Sequence, residues 1–352
     1  MRYLKYFEAI REATDQAMMD DPSVFLVGLG VPDPKGIFGT TLGLQEKYGE
    51  ARVQDMPLSE NAMTGVALGM AISGMRPILS HQRVDFTLVA IEQMVNQAAK
   101  WHFMFGGQVN VPLVIRMIIG RGWGQGPQHS QSLQAWFAHI PGLKVLMPTT
   151  AYDAKGLMMS AIADNNPVII LEHRWLYAIP DAVPEDQYLV PIGKARVVKE
   201  GSDVTIVSSS YMTLESLKAG EYLSQMGVSV EVVDLRSIKP WDVDCVLSSV
   251  KKTGRLLVAD TGGIEFGISA EIIATISELA FSDLKKSPSR IGLPNYPCPT
   301  SPALAENYYP DFESIIKSVE RLCDFKFDYS KLNLNKNSEH RDVPYSAFTG
   351  PF

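Results

Sequence analysis

The 352 residues are 46% hydrophobic and carry a formal net charge of −7, enough apolar material for two well-formed cores and too acidic for a nucleic-acid surface. No apolar run reaches the roughly 18 residues of a membrane span. Cys245, Cys298 and Cys323 lack metal or disulfide spacing, and the acid-containing N-terminus carries no cleavage site. Both point to a reducing compartment, the cytoplasm.

In chain order, apolar residues at helical spacing predict a helix from Tyr3 to Asp20, stopped by Asp21-Pro22. Apolar runs at Val24–Val27, Pro77–Ser80, Val111–Ile119, Lys144–Met147 and Val168–Leu171 read as strands, with helices between them at Ala90–Phe103 and Asp153–Asp164. Continuous apolar strands alternating with helices predict a parallel sheet covered on both faces. The Pro, Asp, Glu and Gln text around Pro180–Pro191 reads as a linker. A second alternation follows, with strands at Val204–Ser208, Ser229–Asp234, Arg255–Ala259 and Arg290–Leu293. Its helices fall at Leu214–Gln225, Trp241–Ser249, Ser269–Glu278 and Phe312–Leu322. The division is a domain over 1–185, a linker over 186–199, a domain over 200–325 and a polar tail over 326–352.

The most informative segment is Gln54-Asp-Met-Pro-Leu-Ser-Glu-Asn-Ala-Met-Thr-Gly-Val-Ala-Leu-Gly-Met-Ala71. Pro57 keeps the preceding residue extended, Glu60 opens a helix, and Gly65 and Gly69 lie one turn apart on it. Each interior glycine costs roughly 1 kcal/mol relative to alanine, so two on one face imply close packing against a neighbour. Glu60 is then either a first-turn acid favoured by the helix dipole or a carboxyl dried, with its pKa raised, at the mouth of that packing. Farther on, four glycines between Gly120 and Gly126 make a loop that delivers His129 to a helix starting near Ser130. A histidine so placed is either structural or able to act on a substrate near neutrality. Phe86 reads as a core residue of the helical stretch Gln82–Lys100, and Ala161–Pro167 as a helix C-terminus turning into a strand.

Together these segments resemble the beta subunit of thiamine-diphosphate-dependent 2-oxoacid dehydrogenases of the pyruvate, branched-chain and acetoin type. The resemblance runs from about Tyr3 to about Leu322, with several motifs in order. It implies two doubly wound α/β domains, a pyrimidine-binding domain of transketolase type and a transketolase C-terminal-type domain. Glu60, after Pro-Leu-Ser, matches the acid on the aminopyrimidine nitrogen, whose proton drives the ring into the imino tautomer that deprotonates the thiazolium carbon. Leu58 and Phe86 match cofactor-contacting positions, and Phe86 the stacking aromatic. His129 matches the histidine that contacts the 2-oxoacid carboxylate and assists acyl transfer to lipoamide. His139 matches as well, but as a helix-end residue. Leu113, Ala161, Asp164 and Asn166 match the ligands of a structural potassium ion, a hard cation suited to free carbonyls. The second-domain runs beginning Asp260-Thr-Gly-Gly and Arg290-Ile-Gly-Leu match the assembly domain and are expected to carry no chemistry.

The chain has no Gly-Asp-Gly motif for magnesium and diphosphate. The resemblance therefore implies an alpha subunit holding the magnesium, an α2β2 assembly with the Gly65–Gly69 helix at the interface, and a lipoyl acyltransferase as further partner. Two departures stand out. Gly28-Leu-Gly-Val replaces the family's Gly-Glu-Asp-Val, and Ser80-His-Gln-Arg83 replaces Glu-Ile-Gln-Phe. His81 and Arg83 make the pocket more cationic, which suits a substrate with a second carboxylate, a phosphate or sugar hydroxyls, unless both face the alpha subunit. The expected function is oxidative decarboxylation of a 2-oxoacid with acyl transfer to lipoamide. The alternative is a non-lipoyl, transketolase-like carboligase of sugar or secondary metabolism.

Overall fold

Residues 2–120 and 124–326, with Tyr329 and Phe348, are described by the computed structural model. The expected tail otherwise lies outside the described residues, as do residues 121–123 of the glycine-rich loop. Two units divide the chain: one from the N-terminus to Ile119 and over Trp136–Ile192, the other over Gly120–Ala135 and from Gly193 onward.

The first unit is built on β1 (Arg2–Lys5), β2 (Val24–Gly28), β3 (Val53–Gln54), β4 (Arg76–His81), β5 (Val114–Ile119), β6 (Lys144–Leu146), β7 (Val168–His173) and β8 (Pro180–Val183). Its main sheet runs β6-β7-β5-β4-β2-β3, and every pairing along it is parallel. Strands buried on both faces explain the near-continuous apolar runs. The exception inside them is Arg116 of β5, fully buried and bidentate to Glu172 of β7 at 2.6 and 2.9 Å. Tyr177 donates a further hydrogen bond to that carboxylate at 2.5 Å. Such a pair is tolerated in a core because its geometry and extra donor offset desolvation.

Two expectations are corrected here. The N-terminus is a strand before it is a helix: β1 pairs antiparallel with β8, and the helix begins at Tyr6 and ends at Asp20. β8 itself lies at the start of the stretch read as linker. Its proline occupies the first strand position, where a missing donor is harmless. The stretch Gln82–Lys100 is not one α-helix either. It is a 3-10 helix at Val84–Ala90, a π-helix at Gln93–Ala98 and an α-helix at Ala99–Met104. Wide π turns are rare and concentrate near functional sites.

The second unit contains β9 (Arg196–Lys199), β10 (Val204–Ser208), β11 (Val230–Asp234), β12 (Ser237–Lys239), β13 (Leu256–Gly263) and β14 (Ser289–Leu293). Its sheet runs β14-β13-β10-β11-β9, parallel except for the edge strand β9. The core on one face joins Val204, Ile206 and Val232 to Leu223 of the Tyr211–Gln225 helix and Ile315 and Val319 of the Phe312–Cys323 helix.

Candidate active site

The C-terminal ends of β2 and β4 and the start of the Glu60–Ile72 helix enclose a cleft of about 340 Å³ within the first unit. Close strand contact sets its floor: a Cβ at Gly28 would lie 2.4 Å from the Ser80 carbonyl oxygen, so only glycine fits at the end of β2. Asp55 organises the entrance. Its Oδ1 accepts from the Gly30 N–H at 2.8 Å and from the Met56 N–H at 2.9 Å, which ties the β2 exit loop to the segment leading into Pro57. Met63 N–H donates to the Ser59 carbonyl at 3.0 Å, and the helix starts at Glu60 with its first-turn carboxyl half-buried. The Thr64 hydroxyl donates back to the Glu60 carbonyl at 2.8 Å and lies 3.5 Å from His81 Nε2.

Glu60 and Phe86 therefore line one cleft, together with the apolar side chains of Leu29, Met56, Met63 and Leu79 and the neutral polar group of Ser80, His81 and Gln82. One aromatic face, one carboxyl and an apolar floor suit a flat heteroaromatic ring with a basic nitrogen. No lysine or arginine is among the described lining residues, so nothing in the cleft neutralises a diphosphate. Leu58 stands apart, 78% exposed and outside the lining.

The expectation of a cationic pocket is corrected by burial. His81 is 6% exposed, and desolvation drives its pKa down to about 4, which leaves the imidazole neutral near pH 7. Arg83 is buried and does not line the cleft. Neither residue presents a surface to a partner chain. Beside Arg83, His173 is driven to about 3, chiefly by burial and then by that guanidinium. It is a structural residue whose Nδ1 accepts from the Trp175 N–H at 3.2 Å.

His129 ends a 3-10 turn, Pro127–His129, and is half-buried in the second unit. The following α-helix is Gln134–His139 and begins later than expected, with Ser130–Leu133 outside any helix. His139 is the exposed last residue of that helix, where a basic group favours the dipole. Gln134 is buried and donates from Nε2 to Asp260 Oδ1 at 2.7 Å. Burial pushes the Asp260 carboxyl up to about 6. Sequence reasoning gave Asp55, Gln134 and Asp260 no role. The Asp-Met-Pro and Asp-Thr-Gly-Gly runs were the available signals, since an acid beside a forced turn commonly caps local N–H groups.

The residues expected to hold a cation already have partners within the chain. The Leu113 carbonyl accepts from the Val168 N–H at 2.9 Å and the Ala161 carbonyl from the Asp164 N–H at 3.3 Å. Each oxygen keeps a second lone pair. Asp164 Oδ1 accepts from the Asn166 N–H at 2.8 Å, and Oδ2 pairs with the Lys144 ammonium. Arg76 donates to the Ile162 and Asp164 carbonyls at 2.9 and 3.1 Å. Lys144 thus neutralises the Asp164 carboxylate, and Arg76 holds the helix-end carbonyls.

Comparison with known proteins bears on the whole chain. Residues 2–180 match the family described as Transketolase, pyrimidine binding domain, and residues 193–315 match Transketolase, C-terminal domain. The beta subunit of acetoin:2,6-dichlorophenolindophenol oxidoreductase from Cupriavidus necator is 43% identical, covering 89% of this chain and 95% of its own length. The mitochondrial pyruvate dehydrogenase E1 component subunit beta-1 of Arabidopsis thaliana is 41% identical, covering 90% of this chain and 88% of its own. The human pyruvate dehydrogenase E1 subunit beta is 39% identical, covering 89% of each. A solved split-gene transketolase, an inactive beta4 tetramer, superposes with a TM-score of 0.72 at 22% identity, covering 92% of this chain and 99% of that one.

Proposed function

The chain belongs to the beta subunits of the thiamine-dependent 2-oxoacid dehydrogenases, and from that premise we propose that it supplies the pyrimidine half of a two-chain active site. The reaction is oxidative decarboxylation of a 2-oxoacid with transfer of the acyl group to a lipoyl group. The observation that carries this reading is the cleft joining Glu60 to Phe86 with no lysine or arginine among its described lining residues. An aminopyrimidine fits that donor set and a diphosphate does not, so an alpha subunit brings the magnesium and completes the site, as α2β2.

When bound, thiamine diphosphate supplies a carbon nucleophile for the 2-oxo group and accepts the electrons left by carbon dioxide. Glu60 holds and exchanges a proton at the pyrimidine nitrogen, a role that needs a carboxyl at hydrogen-bond reach. Phe86 would hold the ring by its aromatic face, and Leu58 would add an apolar contact to the cofactor. His129 carries a proton where the substrate carboxylate and the acyl acceptor meet. A structural potassium ion on Leu113, Ala161, Asp164 and Asn166 stiffens the turn into β7. The acyl acceptor is the lipoyl domain of an acyltransferase. The proposed location is the cytoplasm, in keeping with the three free thiols.

The carboligase alternative is not favoured by the relatives, which are beta subunits of pyruvate dehydrogenase and of an acetoin oxidoreductase, and a neutral His81 offers no cationic receptor to a second anionic group on the substrate. The test is the co-purified alpha–beta pair assayed against a panel of 2-oxoacids with a dye electron acceptor, beside acylation of a lipoyl domain. Dye reduction with a 2-oxoacid and lipoyl acylation are expected. Release of a hydroxyketone from an aldehyde acceptor, without lipoyl acylation, would overturn the reading.

A further inference from the structure

The second unit buries a polar pair that the reaction as described does not use. Asp260, on β13, is 1% exposed, and Gln134 is 0% exposed. Gln134 Nε2 donates to Asp260 Oδ1 at 2.7 Å and lies 3.4 Å from the Thr261 hydroxyl. The glycines of Asp-Thr-Gly-Gly make room for the pair: a Cβ at Gly262 would sit 2.6 Å from Gln134 Nε2 and 3.1 Å from Asp260 Oδ2. Asp260 Oδ2 and Gln134 Oε1 have no hydrogen-bond partner among the described residues. Each such oxygen carries its desolvation penalty, so an apolar pair of similar shape would give a more stable core. What a hydrogen-bonded pair adds is direction. An apolar contact tolerates sliding, whereas an amide on a carboxylate fixes the register of the chain that bears it.

That chain is the segment Gly124–Ala135, which carries His129. Its other close fit is at Gly126, where a Cβ would meet Thr300 Oγ1 at 2.4 Å. Resting on the reading of His129 given above, we infer that Gln134, held by Asp260, is the anchor that positions the His129 segment for acyl transfer. Both are positioning residues, acting through the segment and not on the substrate.

Titration of the pair follows from its surroundings. Burial raises the carboxyl to about 6, opposed only by the Gln134 side chain and the N–H groups of Thr261 and Gly262, with no charged group among the causes. The Gln134 amide, the one group of the segment among these causes, favours the ionised carboxylate and so opposes that rise. An asparagine at 260 stays neutral. Its oxygen accepts from Gln134 Nε2, and its amide donates to the unpartnered Gln134 Oε1.

The experiment uses the assembled alpha–beta enzyme with Gln134→Leu, Asp260→Ala and Asp260→Asn. Hydrogen exchange of the 124–135 peptide, corrected for intrinsic rate, is followed from pH 5 to 8, beside acylation of a lipoyl domain. Q134L and D260A are expected to raise exchange of that peptide by about tenfold or more and to slow acylation in parallel. D260N should keep wild-type protection. Unchanged exchange in Q134L and D260A would overturn the inference, as would a D260N enzyme as damaged as D260A. Altered exchange with acylation unchanged, in these variants and in His129→Ala alike, would leave the anchor standing and remove its role in acyl transfer.

Discussion

At the scale of single residues, the account turns on Glu60. The carboxyl sits half-buried at the first turn of its helix, in a cleft whose other polar lining groups, Ser80, His81 and Gln82, are uncharged. A glutamine there preserves shape and can still accept a hydrogen bond, but it cannot take up and return a proton. Glu60→Gln is therefore expected to slow deuterium exchange at the thiazolium carbon of the assembled enzyme by about 10²–10⁴, with assembly unimpaired. An unchanged exchange rate would reduce Glu60 to a helix-start acid. The sequence alone marked Glu60 and Phe86 because their spacing from Pro57 and from the end of β4 is part of recognisable motifs. It marked His81 as unusual but not as neutral, since charge at that site depends on burial, which no local pattern encodes. Asp55 and Asp260 escaped notice for a related reason. Apart from the neighbouring Met56 N–H, their partners are the Gly30 N–H in one case and the side chain of Gln134 in the other, contacts between segments far apart in the chain.

At the scale of elements, the Glu60–Ile72 helix carries an open question that the chain alone poses. Its glycines are not there to admit a neighbour from within this chain. A Cβ at Gly69 meets nothing within 4 Å, and one at Gly65 meets only the end of Gln93 at 3.6 Å. On the same helix Val66 and Ile72 remain largely exposed. Replacing Gly69 with leucine should favour the isolated helix by roughly 1 kcal/mol and leave the fold of the single chain intact. Assembly with the alpha subunit should weaken, because the side chain fills the space a partner helix needs. Sedimentation of the mixed chains, beside thermal unfolding of this chain alone, checks both halves. Full assembly of G69L would show that the glycine face is not the interface. The longer strands of both sheets were legible from their apolar runs, within a residue or three at most ends, whereas the short β3, β9 and β12 were missed, β9 inside the stretch read as linker. The misread elements share a cause: β1 and β8 are short and half-exposed, so their alternation is brief, and the 3-10 and π turns at Val84–Ala98 have the apolar spacing of an ordinary helix.

At the scale of the whole molecule, two α/β units sit on one chain, yet among the described residues only the first brings a carboxyl and an aromatic ring into a cleft fit for a pyrimidine. The sequence contains no Gly-Asp-Gly, and no lysine or arginine is among the described residues lining the cleft, two independent observations behind the proposal that a partner chain binds the diphosphate. The family relationship was readable from the sequence because several motifs occur in order over most of the chain. The substrate was not, because no motif of the chain distinguishes one 2-oxoacid from another. Calorimetric titration of the purified chain with thiamine diphosphate, with and without magnesium, tests the half-site most directly. The account predicts weak, magnesium-insensitive binding by the chain alone and tight, magnesium-dependent binding once the alpha subunit is added; tight magnesium-dependent binding by the isolated chain would contradict it.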